Sequence, residues 1–274
     1  FSSPRAVQAV LQRLFARGGR LLGPGPIEEV QLPDGSQVQV LLPPLSPSGP
    51  LLSIRCPVRA PISPDSLVTE GTLSIDMLAL MRSAMHRRVN VLVVGPTGAG
   101  VSTLVSALAS LCQDHERIVT LQESPSLAIR HPNVLPLSLP GAGERRLAQV
   151  LRHAGKLRAD RIVLDDVRTD DALTVLTAAA ASRGFLAGMH AASPTGALEQ
   201  LELFAQLATS GSRASLAALI GHAFSLIIHI SSDGSGARRV QSISEIRGTG
   251  DSTLELSQLY KYDGAFKAEQ RPTF

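Results

Sequence analysis

The sequence predicts an α/β fold built on a doubly wound, largely parallel sheet, with a smaller α+β unit before it. From residue 90 onward, short apolar runs with strand character alternate with segments of helical spacing, which is the pattern of parallel strands joined by crossover helices. Before that point, Asp34-Gly35 separates two alternating runs, which is a strong hairpin signal. Three prolines in the segment Pro57–Pro64 indicate a linker between the two parts.

The composition is that of a globular protein and excludes several functional classes. Hydrophobic residues make up 44% and charged residues 18% of the 274 residues, which is enough for a sizeable core. The net charge is only +3 and aromatic residues are 3%, so a base-stacking nucleic-acid interface is not expected. No apolar run reaches the roughly 18–20 residues that a membrane span needs, and the first residues lack the apolar segment of a signal peptide. Cys56 and Cys112 are too few for a disulfide framework and are expected to be buried thiols in a reducing compartment.

The amino-terminal elements follow from side-chain periodicity and from turn residues. The segment Pro4–Arg17 carries its apolar residues on one helical face and predicts a helix. The alternating runs Ile27–Leu32 and Gln37–Leu42 predict the two strands of the hairpin. A third strand, Leu51–Arg55, is expected after a proline-rich bend.

Strands and helices alternate through the rest of the chain. Ser74 stands where an N-cap belongs and predicts a helix that ends at Arg87, after a short helix over Asp65–Val68. After about Tyr262 the chain is expected to be a frayed tail. The other predicted elements are the strands Val91–Val94, Arg117–Leu121, Arg161–Leu164 and Leu186–His190, the helices Ser102–Cys112, Glu144–Ala154, Asp171–Ser182, Pro194–Ala208 and Arg213–Ala223, and a closing hairpin of Ser225–Ile230 and Arg238–Ile246.

The segment Gly95–Thr103 has every part of a phosphate-binding P-loop except one. The pattern is G-x-x-x-x-G-K-[ST], and Val101 stands at the lysine position. A strand that feeds a glycine-rich turn at the start of a helix should still present backbone N–H groups to an anion, while Ser102 offers a hydroxyl to Mg²⁺. The alternative is that the loop only begins the following helix. The candidate residues for binding ATP are Thr97, Gly98, Ala99, Gly100, Val101, Ser102 and Thr103.

Several segments, in order and at the right spacing, resemble one family. The chain resembles the secretion and pilus-assembly ATPases of the type II/type IV superfamily, and within them the CpaF/TadA type of Tad pili and related secretion systems. The likeness runs through nearly the whole chain. The segments that carry it are Leu32-Pro33-Asp34-Gly35-Ser36, Gly95–Thr103, Arg117-Ile118-Val119-Thr120, Asp160–Arg168 and His190-Ala191-Ala192-Ser193-Pro194.

The resemblance implies a domain organisation, a cofactor and partners. It implies an amino-terminal α+β, PAS-like domain over residues 1–56, a linker over 57–73 and a RecA-like P-loop ATPase domain over 74–274. It further implies that ATP and Mg²⁺ bind between the domains, and that subunits form a homo- or hetero-hexameric ring. Such a ring is cytoplasmic, peripheral at the inner membrane, and drives inner-membrane platform proteins. Nucleic acid is not an expected partner.

The resemblance also places candidate catalytic residues at three strand ends. Glu123 follows Gln122, which stands where the family has a glutamate thought to act on the attacking water; Glu123 could serve in its place or be an ordinary carboxylate. Asp166, after Asp165, stands at the Walker B glutamate and is a candidate Mg²⁺ ligand together with Ser102, or else the two carboxylates cap the next helix. His190 matches the family's histidine and could sense the terminal phosphate or lie at the edge of the core.

Arg168 matches the family's Val-Arg step, where it could contact phosphate or, the reading we favour, pair with the neighbouring acids. Charged or catalytic residues of the family are replaced elsewhere, and these losses together predict a subunit with weakened or lost ATP hydrolysis. Two alternatives stay open. One is an active motor in which Arg55, Arg87, Arg88 or a neighbouring subunit's arginine replaces the lysine, and the other is a scaffold that never binds nucleotide. The replaced positions are Gln37, Cys56, Val101, Gln122 and Ser182.

Overall fold

The structure, a computed structural model, describes residues 4–56, 60–123, 125–139, 144–209, 211–248 and 254–274. The chain divides into two compact units, residues 1–59 and 60–274. In the part of the chain that is described, no helix is both long enough and apolar enough to cross a bilayer.

The first unit is a helix packed on an antiparallel sheet. It contains α1 (Pro4–Arg17), β1 (Ile27–Gln31), β2 (Gln37–Leu41) and β3 (Leu51–Arg55), with strand order β1-β2-β3. The predicted hairpin is confirmed: Gly35 adopts a φ of 85°, and the N–H of Ser36 donates to Asp34 Oδ1 at 3.0 Å. The core of this unit is formed by Leu11, Phe15, Val30, Val38 and Val40.

The second unit is the α/β part of the molecule. Its elements are α2 (Pro64–Thr69), α3 (Ile75–His86), β4 (Val91–Gly95), α4 (Val101–Ala109), β5 (Ile118–Gln122), β6 (Val134–Ser138), α5 (Glu144–Lys156), β7 (Arg161–Leu164), α6 (Ala172–Ala180), β8 (Phe185–His190), α7 (Pro194–Ala208), α8 (Arg213–Ala223), β9 (Leu226–Ser232), β10 (Arg238–Gly248), β11 (Leu254–Tyr262) and β12 (Phe266–Ala268). The predicted N-cap is confirmed, since Ser74 Oγ accepts from Met77 N–H at 3.1 Å.

One sheet runs through this unit in the order β12-β11-β10-β9-β4-β8-β7-β5-β6. The strands from β9 to β6 are mutually parallel, and β10, β11 and β12 extend the sheet as antiparallel strands. Alternate side chains of β4 face two separate cores: Val91 and Val93 pack in one with α3 and α4, and Leu92 and Val94 in the other with α6, α7 and α8. The predicted α/β fold with a parallel-rich sheet is therefore confirmed, and parallel order brings the carboxyl ends of these strands to one edge.

Three expectations differ from the structure. The predicted elements omit β11 and β6. Strand β6 is an edge strand that contains Pro136, and an edge position tolerates a proline because only one side needs backbone hydrogen bonds. The tail after Tyr262 is not frayed, because β12 pairs with β11 and the N–H of Thr273 donates to Glu245. The expectation of two buried thiols is wrong for Cys56, which is exposed directly after β3; Cys112 is buried, and burial raises the pKa of its thiol to about 11.

Candidate functional site

Four neighbouring parallel strands end at one edge of the sheet, and each predicted site residue lies at the end of one of them or follows it. The order β4-β8-β7-β5 places the P-loop, then His190, then Asp166, then Glu123 along this carboxyl edge. The strand register sets Gly95 directly opposite His190. In open α/β sheets, ligands bind outside the carboxyl ends of the strands, so the fold brings the predicted residues to the expected place.

The P-loop has the backbone that its glycines predict. Gly98 and Gly100 adopt positive φ angles of 83° and 103°, which side chains other than glycine rarely tolerate. Gly95 ends β4 so close to β9 that a Cβ would lie 2.3 Å from the carbonyl oxygen of Ile230. Helix α4 then begins at Val101 without a side-chain cap, which leaves its first backbone N–H groups available to an anion.

Val101 turns its side chain into the protein. It is 3% exposed and belongs to the core with Leu104 and Ile230. A Cβ at Gly95 would lie 3.2 Å from Val101 Cγ2, and a Cβ at Gly188 would lie 2.9 Å from Val101 Cγ1. The side chain therefore packs between the ends of β4 and β8, and the position that carries a lysine in a standard P-loop contributes no charge to the loop.

The pair of aspartates after β7 is half-buried and partly satisfied. Asp165 Oδ2 accepts a hydrogen bond from the Ser126 hydroxyl, while Asp165 Oδ1 is buried with no partner among the described residues. Burial raises the pKa of Asp166 above its usual value, and the negative charge of the neighbouring Asp165 raises it further. The charge of His190, the charge of Arg168 and the hydrogen bond from the His190 backbone N–H lower it, but they do not cancel the rise. A cation bound beside Asp166 would favour its ionised form and so offset the effect of burial.

Gln122 does not face an open site. It is 8% exposed, and its side-chain oxygen accepts the backbone N–H of Leu127 at 3.0 Å. The amide thus anchors the segment after β5 that also delivers Ser126 to Asp165. Sequence reasoning overlooked Ser126, because a serine in an irregular segment has no local signal that distinguishes it from a solvent-exposed residue.

Glu123 and Arg168 form an ion pair with each other. Their side chains are 30% and 47% exposed, so the pair lies at the surface of the edge rather than inside it. Arg168 stands directly before a short 3-10 turn, Thr169–Asp171, between β7 and α6. A role for Glu123 on a water molecule would require this ion pair to open.

Arg87 and Arg88, two of the arginines that the active-motor alternative offers in place of the lysine, lie away from the P-loop. Arg87 and Arg88 precede β4, at the amino end of the strand whose carboxyl end carries the P-loop. Arg88 Nε donates to Glu116 Oε1 at 2.7 Å, and its Nη2 lies 3.5 Å from Asp160 Oδ1. Within one subunit, these two arginines therefore do not supply the alternative cation.

The donor set at the carboxyl edge fits Mg²⁺ bound together with phosphate. No group of three or more His, Cys, Asp or Glu side chains is arranged to hold a metal among the residues that the structure describes. Mg²⁺ commonly uses one or two protein oxygens and completes its shell with phosphate and water. The unpaired oxygen of Asp165 beside Asp166 is the kind of ligand such an ion needs.

Comparisons with known proteins agree with this architecture. The family model "Type II/IV secretion system protein" matches residues 3–235. The conjugal-transfer-type protein Rv3659c of Mycobacterium tuberculosis is 31% identical over 262 residues, covering 90% of this chain and 74% of that protein. The conjugal transfer protein TrbB of Rhizobium radiobacter is 31% identical over 228 residues, covering 81% and 68%.

Solved structures show the same fold. The VirB11 ATPase of the Brucella suis type IV secretion system, in complex with sulphate, superposes with a TM-score of 0.56 at 21% identity, covering 87% of this chain and 80% of that one. The pilus retraction motor PilT with bound ADP gives a TM-score of 0.57 at 15% identity, covering 82% and 64%. These structures support the RecA-like fold. The family match and the two relatives show that the chain belongs to the type II/IV secretion system protein family.

Proposed function

We propose that the chain is a CpaF-like subunit of a secretion or pilus-assembly ATPase that binds ATP and hydrolyses it slowly or not at all. The observation that carries this proposal is the position of Val101, which is apolar and buried where the P-loop motif requires a cation. Phosphoryl transfer depends on positive charge placed around the phosphates. A P-loop without its lysine keeps the backbone contacts and loses that charge.

The residues that we propose for binding ATP differ from the residue that hydrolysis would need. Thr97–Thr103 would hold the phosphates through backbone N–H groups, and Ser102 and Asp166 would hold Mg²⁺. His190, opposite Gly95 in the strand register, would contact the terminal phosphate. Hydrolysis needs a residue that deprotonates or orients the attacking water; the Gln122 amide cannot accept a proton, and its oxygen is engaged by the backbone N–H of Leu127.

The assembly is part of the same proposal. The relatives are described as conjugal transfer and type IV secretion proteins, which supports a subunit of a type II/IV secretion machine; its Tad-like character is our proposal. We propose a homo- or hetero-hexameric cytoplasmic ring, peripheral at the inner membrane and in contact with platform proteins there. The division into residues 1–56, 57–73 and 74–274 belongs to this proposal, with the linker allowing the two domains to move.

The first test is calorimetric titration of MgATP and MgADP into the purified protein, with its oligomeric state measured in parallel. We expect binding in the micromolar range and turnover far below that of a lysine-bearing relative assayed beside it. Ser102→Ala provides the matched variant: it should weaken binding of MgADP more than binding of ADP in excess chelator, because the hydroxyl acts through the metal.

Three outcomes separate the candidate functions. Binding with little hydrolysis supports the proposal. No binding up to millimolar nucleotide would replace it with a nucleotide-free scaffold. Brisk hydrolysis by the oligomer alone would replace it with an active motor that has an atypical site, in which a neighbouring subunit completes the charge.

A further inference from the structure

The carboxyl edge also includes the turn between β9 and β10. Strand β9 is parallel to β4 and pairs with it, so β9 ends beside the P-loop. Strand β10 returns antiparallel to β9 and begins at Arg238, opposite Ser232. The β9–β10 hairpin thus carries its first β10 residues to the same edge as the phosphate-binding loop.

Arg238 lies across the last glycine of the P-loop. A Cβ at Gly100 would lie 3.3 Å from Arg238 Cδ and 3.9 Å from Arg238 Nε. Gly100 directly precedes Val101, so the guanidinium group begins within a few ångströms of the residue that should carry the missing cation. The Arg238 side chain is exposed, and within the described ranges it makes no ion pair or hydrogen bond.

The neighbouring Arg239, unlike Arg238, makes several contacts within the protein, and these contacts hold the hairpin in place. Its Nε donates to Asp233 Oδ2 at 2.8 Å, its Nη1 donates to the carbonyl of Gly71 at 2.6 Å, and its guanidinium lies 5.3 Å from the ring centroid of Tyr262. Asp233 also accepts the backbone N–H of Ala237 at 3.0 Å, one residue before Arg238. The hairpin is therefore tied at its turn and to the segment before α3, which fixes the backbone from which Arg238 extends.

We propose that Arg238 supplies, from strand β10, the positive charge that Val101 does not supply to the P-loop, and that it contacts the phosphates of a bound nucleotide. This rests on the proposed nucleotide binding. A guanidinium is always charged and presents a fork of donors that matches phosphate oxygens. Arg238 approaches beside Gly100, whereas the lysine of a standard P-loop extends from the first turn of α4. Arg238 therefore strengthens nucleotide binding but does not take over the lysine's contact with the terminal phosphate.

The test is a set of titrations with MgADP and with magnesium pyrophosphate. The variants are Arg238→Gln, the charge-retaining Arg238→Lys, and Arg152→Gln, which removes one exposed charge from α5 as a matched control. Since a hydrogen bond to a charged group is worth enough for about a tenfold change in affinity, Arg238→Gln should weaken both ligands about tenfold. Arg238→Lys should retain part of the affinity, and Arg152→Gln should match the wild type.

The melting temperature without ligand separates a ligand contact from a structural role. Arg238 is exposed, so Arg238→Gln should melt with the wild type, and a lowered melting temperature that accounts for the lost binding would overturn the proposal. Affinity of Arg238→Gln within twofold of the wild type would also overturn it and leave the proposed function standing. If the wild type itself binds neither ligand at millimolar concentration, nucleotide binding and the role of Arg238 are refuted together.

Discussion

The two edges of the parallel sheet, at the amino and carboxyl ends of its strands, both carry a glutamate–arginine pair, but the pair at the amino edge is buried and the pair at the carboxyl edge is exposed. At the amino edge, Glu116 and Arg161 are each 1% exposed and pair at 2.9 Å, with Arg161 Nε donating a second bond at 3.0 Å. At the carboxyl edge, Glu123 and Arg168 pair at the surface, and Asp165 keeps a buried oxygen without a partner within the described chain.

The buried pair and the exposed pair should therefore contribute differently to the stability of the fold. A buried ion pair is costly to break, because the remaining charge is left without compensation in a low dielectric. An exposed pair contributes little, since water screens it. We therefore expect the removal of a charge at the amino edge to change the free energy of unfolding, and the removal of a charge at the carboxyl edge to change ligand binding.

The largest expected effect is that of Glu116→Gln. Removing this charge leaves the Arg161 guanidinium buried without a counter-ion, which should lower the free energy of unfolding by about 3–5 kcal/mol. Urea denaturation measures the change. Glu123→Gln is the matched control at the carboxyl edge and should cost no more than about 1 kcal/mol. Equal losses in the two variants would remove the distinction between the edges.

The amino edge should also set the acid sensitivity of the fold. Burial raises the pKa of Glu116, but the hydrogen bond and charge of Arg161, together with hydrogen bonds from the Gln113 backbone and from Arg88, outweigh it, so the pKa lies below its usual value. A depressed carboxyl pKa contributes stability above the unfolded value of about 4.3, and this stability is lost as the pH falls through the folded pKa. Urea midpoints measured from pH 7 to pH 3 should fall steeply below about pH 4.3, and the fall should be shallower in Glu116→Gln. An unchanged slope in that variant would assign the acid sensitivity to other carboxylates.

Packing between the P-loop and β8 should be sensitive to a single methyl group. In Gly188→Ala the new Cβ would lie 2.2 Å from the carbonyl oxygen of Asp165 and 2.9 Å from Val101 Cγ1. Overpacking of this kind costs about 1–3 kcal/mol. Gly155→Ala is the control, since a Cβ there in α5 meets nothing within 4 Å and should stabilise the fold by about 0.4–1 kcal/mol. If Gly188→Ala left the free energy of unfolding unchanged, the packing around Val101 would have room for an additional methyl group.

The smallest expected effect is on nucleotide affinity at the P-loop. The lysine in Val101→Lys is long enough to carry its ammonium out of the apolar site to the phosphates, which should tighten MgADP binding about tenfold. Hydrolysis should stay slow, because Gln122 remains unable to take a proton. Val101→Met, which adds length without charge, should not tighten binding. Brisk turnover in Val101→Lys would show that the rest of the site is intact and would refute a general loss of catalysis.

Much of the fold was predictable because its signals are local. Helix bounds at Pro4–Arg17, Pro194–Ala208 and Arg213–Ala223 match the structure, since periodicity and end residues act within one or two turns. Strand β6 was not predicted, because Pro136 argues against a strand unless the strand is known to lie at an edge. Position in the sheet is not a local property.

The sequence by itself determined the alternation of strands and helices in the α/β unit, the P-loop with valine at its lysine position, and the family. Tertiary structure alone decided that the Val101 side chain packs against Gly188, that Gln122 is engaged by Leu127, and that Arg238 lies across Gly100. The physical reason is distance along the chain. Local conformation depends on neighbouring residues, whereas contacts across the carboxyl edge depend on which strands become neighbours when the sheet assembles.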